Sequence, residues 1–208
     1  MEPDSDTPLL AARQRGGAET RERILRCMID MIDRGVGEDI QLRDVAREAG
    51  VSAALIIRYF GSKTELVFAA LTTRIEEVTN AQINAKDAKG GFKTLEDFAK
   101  FTFSLDLESA YRTVSILEMS WRWQPENEAR WRAVLEPRFV ILRRLLSAAA
   151  PKAKAGEIEA AAALTATAYR ETLRSALIDR LTPAAALDRF MPTRTAISAA
   201  LEAGAFRG

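Results

Sequence analysis

Apolar side chains recur at intervals of three and four along most of this chain, and the stretches between glycines and prolines are long enough for helices. Ile24, Met28, Met31 and Ile32 mark one face of a helix from about Thr20 to Arg34, closed by Gly35. Leu42, Val45, Ala46 and Ala49 form the stripe of a short second helix. Gly50-Val51 interrupts it, and Ser52 suits the N-cap of a third, from Ala53 to Tyr59, ended near Gly61. Ser62-Lys63-Thr64-Glu65 has the form of a capping box and opens a long helix to about Ala85, with Val67, Leu71, Ile75 and Val78 on one stripe. After a loop at 86–93, helices are predicted at 94–108, 109–123, 126–150 with a kink at Pro137, 157–180, 184–190 and 193–204. Alternating β-branched runs and hairpin dipeptides are missing, so the predicted class is all-α.

Residues 1–18 hold two prolines and Gly16-Gly17 without periodicity and are expected to form a flexible arm. Residues 19–66 then form an N-terminal three-helix unit, and 67–208 a larger helical domain. The composition, 48% hydrophobic and 28% charged, is that of a globular chain and excludes collagen-like and wholly disordered classes. No apolar run approaches the ~18–20 residues of a membrane helix, so no membrane partner is expected. The chain has no His, which removes Ser-His-Asp and Cys-His triads and His-ligated metals together. Its single Cys, Cys27, leaves no intramolecular disulfide. The expectation is a protein without catalysis, metal or cofactor. One cysteine and the lack of a basic-then-apolar leader predict a cytoplasmic location. Cys27 itself reads as a packed thiol on the first helix, with redox sensing as the sharper alternative. Glu76-Glu77 and Asp106/Glu108 read as solvated faces, since neighbouring helical positions do not face one another.

The densest signal lies between Ile40 and Leu66, where two short helices joined by a glycine turn have the helix-turn-helix arrangement. In that geometry the first helix braces across the DNA backbone and the second enters the major groove. Val45, Ala46, Val51, Ile56 and Phe60 would lock the pair onto the first helix, leaving Ser52, Ala53 and Ala54 outward and small enough to approach base edges. The run Leu42-Arg-Asp-Val-Ala-Arg-Glu-Ala-Gly-Val-Ser52, followed by Ile57-Arg-Tyr-Phe-Gly-Ser-Lys-Thr-Glu-Leu66, resembles the N-terminal signature of TetR-type transcriptional regulators over about residues 20–70.

That resemblance implies an Ω-shaped homodimer that binds a palindromic operator in double-stranded DNA, acts as a repressor and is released by a small apolar or amphipathic effector. By position, Arg43 contacts a base or phosphate, Ala53, Ala54 and Leu55 face bases, and Arg58, Tyr59 and Lys63 grip phosphates. Gln41, Ser52 and Ile57 complete the candidate DNA-binding set. Gln41 stands where the family often has a capping Ser or Thr, and Leu55 and Ile57 where it often has Thr and Tyr, so a hydroxyl-to-phosphate bond is lost. Between Glu19 and Val67 eight basic residues meet nine acidic ones, whereas DNA-binding domains usually concentrate positive charge. The rival reading is a TetR-derived helical lipid-binding protein that no longer binds DNA. Arg13 and Arg15 in the arm are candidates for the minor groove or, alternatively, a solvated tail.

Phe98, Phe101, Phe103, Tyr111, Trp121, Trp123 and Trp131 gather in the middle third of the chain. Core packing accounts for many of them, but the resemblance places a ligand pocket in that region. The candidate lining is Phe98, Phe101, Trp121 and Trp131, with Tyr111, Thr165 and Tyr169 as its polar part, and a neutral or amphipathic ligand is expected over a polyanion. Leu164, Ala168, Leu173 and Leu177, with Ile197 on the last helix, offer the aliphatic face for a dimer.

Overall fold

A computed structural model describes residues 7–34, 40–108 and 125–206, and among these there is no strand. The chain divides into two units, Met1–Arg74 and Ile75–Gly208.

The first unit contains α1 (Thr7–Asp33), α2 (Leu42–Ala49), α3 (Ala53–Phe60) and α4 (Lys63–Arg74). Its core is made by Ile24, Met28, Ile40, Val45, Ile56, Leu66, Phe68 and Leu71, all buried. The unit ends at Arg74 rather than at Leu66, because the first three turns of α4 pack on α1. The helix α1 begins at Thr7, not Thr20, and takes in most of the segment expected to be an arm. Two features explain the difference. Pro8 falls in the first turn, where a missing N–H costs nothing, and Leu9 to Arg15 are strong helix formers that outweigh the ~1 kcal/mol cost of each of Gly16 and Gly17. Thr20 Oγ1 donates to Gly16 O at 2.8 Å across this stretch.

The turn between α2 and α3 follows the sequence closely. Gly50 takes the left-handed conformation at φ 64°, which glycine adopts without strain, and its N–H closes α2. Arg23 Nε donates to the otherwise open Ala49 carbonyl at 3.0 Å. Ser52 Oγ accepts from Leu55 N–H at 3.2 Å, and Ser62 Oγ accepts from Glu65 N–H at 3.1 Å to start α4.

The second unit opens with a π-helical stretch, Ile75–Asn80, where the sequence predicts unbroken α-helix, and continues through α5 (Ala81–Ala88), α6 (Leu95–Glu108), α7 (Pro125–Ala149), α8 (Ala155–Ile178) and α9 (Pro183–Glu202). Asn80 Nδ2 donates to Val134 O at 2.8 Å and ties the π stretch to α7. The two short C-terminal helices expected around Pro192 are one helix, α9. An interior proline costs ~3 kcal/mol, but Leu187, Phe190 and Leu201 anchor the buried face on both sides of it. The two cores draw on α5 to α9. One gathers Phe103, Leu173, Ala176, Ala186 and Phe190, and the other Phe92, Phe98, Leu142, Leu146 and Ile158. Among the described residues no helix is long and apolar enough to cross a membrane. The helix expected at 109–123 lies outside the described residues.

Candidate nucleic-acid interface and ligand cavity

The two faces of α3 differ sharply. Ile56 and Phe60 are buried against the rest of the first unit, while Ala53, Ala54, Ile57 and Arg58 share the exposed face, Ile57 at 41% exposure. Leu55 is half-buried between them, and Ser52 is exposed with its hydroxyl oxygen engaged in the cap. Gln41 is exposed and extended just before α2 and makes no side-chain cap bond, and Arg43 is exposed one turn into the helix. Lys63 sits half-buried in the first turn of α4, where free N–H groups and the helix dipole favour an anion. Tyr59 is half-buried, and a Cβ at Gly17 would come within 3.4 Å of its hydroxyl, so the early part of α1 runs alongside it.

Pairing resolves the adverse charge sum. Arg34 Nη2 donates to both carboxylate oxygens of Glu48 at 2.6 and 2.8 Å. Arg26 pairs with Glu22 and Arg47 with Asp44, both at 2.9 Å, and Arg74 with Asp33 at 2.8 Å. Arg21 lies over the Phe60 ring, 4.8 Å from its centroid. Arg43 and Arg58 are therefore exposed cations without a carboxylate partner among the described residues, next to the outward face of α3. Cys27 is half-buried; burial, then Glu48 and Asp30, push its thiol pKa up, which disfavours the reactive thiolate.

The second unit carries an open cavity of about 610 Å³. Phe98, Trp131, Thr165 and Tyr169 of the candidate set line it. Phe101 does not: it packs on Phe92, with ring centroids 5.4 Å apart, under Lys86 Nζ. The cavity face of α6 runs Leu95, Phe98, Ala99, Thr102 and Asp106, and Phe101 is rotated away from that line by the pitch of the helix. Tyr111 and Trp121 lie outside the described residues.

Asp106 was expected in solvent, and here the structure corrects the sequence. Its side chain is 13% exposed and accepts from Arg138 Nη1 and Nη2 at 2.8 and 2.9 Å, and from the Tyr169 hydroxyl at 2.9 Å. The signal was available, since Asp106 lies one turn beyond Thr102 on the buried stripe of α6. Burial raises the Tyr169 phenol well above its usual range, and the Asp106 carboxylate raises it further. Burial opposes the charge on Arg138, but Asp106 more than compensates, so the guanidinium stays protonated. Elsewhere in the wall Arg132 pairs with Glu128 at 2.9 Å, and Arg143 holds both Glu136 and Glu159.

Of the residues expected at a dimer face, Leu164 is 49% exposed, and Ile178 on the same helix is 65% exposed. Ala168, Leu177 and Ile197 are half-buried against their own chain's cores. Leu173 is 5% exposed and lines the cavity, so its own chain covers nearly all of it. The sequence pattern misplaced it because an apolar residue every three or four positions marks a buried face without saying whether the cover is intramolecular.

Comparison with known proteins converges on the same unit. The family described as bacterial regulatory proteins, tetR family, matches residues 34–70, which include all of α2 and α3. The HTH-type transcriptional regulator BetI of Agrobacterium fabrum is 29% identical over 160 residues, 73% of this chain and 78% of that protein. The nucleoid occlusion factor SlmA of Shewanella sp. (strain W3-18-1) is 39% identical over 64 residues, 31% of this chain and 32% of that protein, and SlmA of Shewanella baltica (strain OS155) matches equally. The matched residues hold the helix-turn-helix with its glycine turn and the outward α3 face, and over them the chain is similar to TetR-family transcriptional regulators.

Proposed function

We propose that this protein is a cytoplasmic repressor that binds a palindromic operator as a homodimer and releases it when a small apolar or amphipathic molecule enters the second unit. The observation that carries the reading is the cavity of about 610 Å³ whose wall includes Ile75, the residue bonded directly to Arg74 at the end of the DNA-binding unit. Phe98, Trp131, Phe139, Leu142 and Phe190 give that wall an apolar character suited to a small molecule. The wall starts on a π stretch, a form of helix that recurs at functional sites because its backbone has an alternative register. A ligand that favours one packing of this stretch biases the end of α4. Paired reading heads need a fixed spacing of about one DNA turn, ~34–36 Å, so a small shift weakens the complex.

In this reading Ala53, Ala54, Leu55 and Ile57 meet base edges with apolar contacts, Arg43 reads a base or phosphate, and Arg58 and Lys63 hold phosphates, with Gln41, Ser52 and Tyr59 at the margin. Exposed Leu164 and Ile178 on α8 supply the dimer face. The test is fluorescence anisotropy with DNA from the protein's own promoter region across a salt series. Binding that prefers this DNA over scrambled DNA and falls steeply with salt is the expected result. Equal, weak binding to both would overturn the repressor reading in favour of a lipid carrier that has lost its DNA function.

A further inference from the structure

The charges lining the cavity do not cancel. Among the described residues, five arginines and four carboxylates contribute to its wall. All four carboxylates are held by three of the arginines, through the Asp106, Glu128, Glu136 and Glu159 pairs described above. Arg170 and Arg194 remain. Arg170 is exposed on α8, where water solvates it. Arg194 is half-buried on α9, one turn beyond Phe190; its Nε is shielded without a hydrogen-bond partner, as is that of Arg138, but unlike Arg138 it has no carboxylate partner among the described residues. Its remaining guanidinium nitrogens are not shielded in this way and are the groups that an arriving acceptor can reach.

We infer that Arg194 is the anchor for the head group of the ligand and that this head group is a single carboxylate. The inference rests on the proposed ligand-binding role of the cavity and specifies what enters it. A guanidinium presents parallel N–H groups that match a carboxylate in a two-pronged geometry. One half-buried cation without a carboxylate partner among the described residues is matched by one negative charge. Apolar walls formed by Phe98, Trp131 and Phe190 then take the hydrocarbon or aromatic body. The neutral ligand allowed by the sequence would leave Arg194 unpaired. The ligand class is therefore an amphipathic monocarboxylate.

The test compares acids with alcohols of the same body: decanoate against 1-decanol, and 2-naphthoate against 2-naphthalenemethanol, titrated calorimetrically into the full chain. At least one acid is expected to bind about tenfold or more tighter than its alcohol, the range of a charge-assisted hydrogen bond. Arg194→Gln should abolish that preference while leaving alcohol affinity unchanged, Arg194→Lys should keep part of it, and Arg170→Gln should keep it whole. The preference in the unaltered protein needs no variant, so it stands even if Arg194→Gln fails to fold. Equal binding of acid and alcohol would overturn the carboxylate anchor and leave the cavity as a ligand site. Failure of both bodies to bind in either form would overturn the anchor and the ligand-binding reading together.

Discussion

Replacing Asp106 by Asn keeps the shape of the side chain and removes the charge that Arg138 faces. In the native protein the two side chains are 13% and 15% exposed and are joined by two N–H···O bonds of 2.8 and 2.9 Å. Water screens an exposed pair, and such pairs contribute little. Here the screening is mostly gone, and Asp106→Asn leaves a guanidinium in the cavity wall without a counter-charge. Breaking a buried pair from one side destabilises by ~3–5 kcal/mol. Tyr169→Phe removes only one hydrogen bond to the same carboxylate and leaves the ion pair, so a smaller loss of ~1.5–3 kcal/mol is expected. The double change Asp106→Leu with Arg138→Met removes both charges and should recover most of the stability, because the penalty lies in the orphaned charge more than in the lost attraction. The chain also contains its own control, since Arg34 Nη2 reaches both carboxylate oxygens of Glu48 at similar distances with side chains 55% and 38% exposed, and Glu48→Gln should hardly move the unfolding midpoint. Urea unfolding measures these changes. Trp121, Trp123 and Trp131 all belong to the second unit and report on Asp106, while circular dichroism serves for Glu48. A shift for Asp106→Asn no larger than that for Glu48→Gln would refute the burial argument. A double variant as unstable as Asp106→Asn alone would show that the attraction itself, not the orphaned charge, carries the stability.

Arg58→Ala should weaken operator and random DNA alike and lower the slope of log affinity against log salt by ~0.9 for each phosphate left without its cation; Arg43→Ala should in addition change sequence preference, and unchanged slopes would remove both from the interface. Leu164→Asp places a charge on a half-exposed position and should yield folded monomers by sedimentation, whereas Leu173→Asp puts it inside the core and should unfold the second unit; a folded, monomeric Leu173→Asp would contradict its placement. Cys27, with its thiol pKa raised first by burial and then by Glu48 and Asp30, should be alkylated by iodoacetamide at pH 8 more slowly than a free cysteine, and its rate profile should move to higher pH; reaction as fast as the free thiol would contradict that environment.

What was legible in the chain was local. Gly50 and Ser52 announce the α2–α3 turn because a left-handed backbone and an N-cap are requirements of single residues, and they hold whatever packs around them. The same local rules misled at Gly16-Gly17 and Pro192. There the cost of a breaker is a few kcal/mol at most, and a continuous favourable stretch or a buried face outweighs it. Periodicity found Phe98 as a buried position but not its cover, and it gave Phe101 the same weight although a helix turns it toward Phe92.

The polar part of the cavity was the hardest to see, for a reason of its own. A carboxylate and an arginine separated by 32 positions, as Asp106 and Arg138 are, look like two solvated charges until the fold brings them together. The opposite property, having no partner, is less visible still. Arg194 stands out only once the described carboxylates around the cavity have been assigned to other arginines, so its meaning depends on residues far from it in the chain. A motif reveals a DNA-reading helix because the duplex is the same for every reader, whereas a ligand site is written in the charges that its own fold leaves uncancelled.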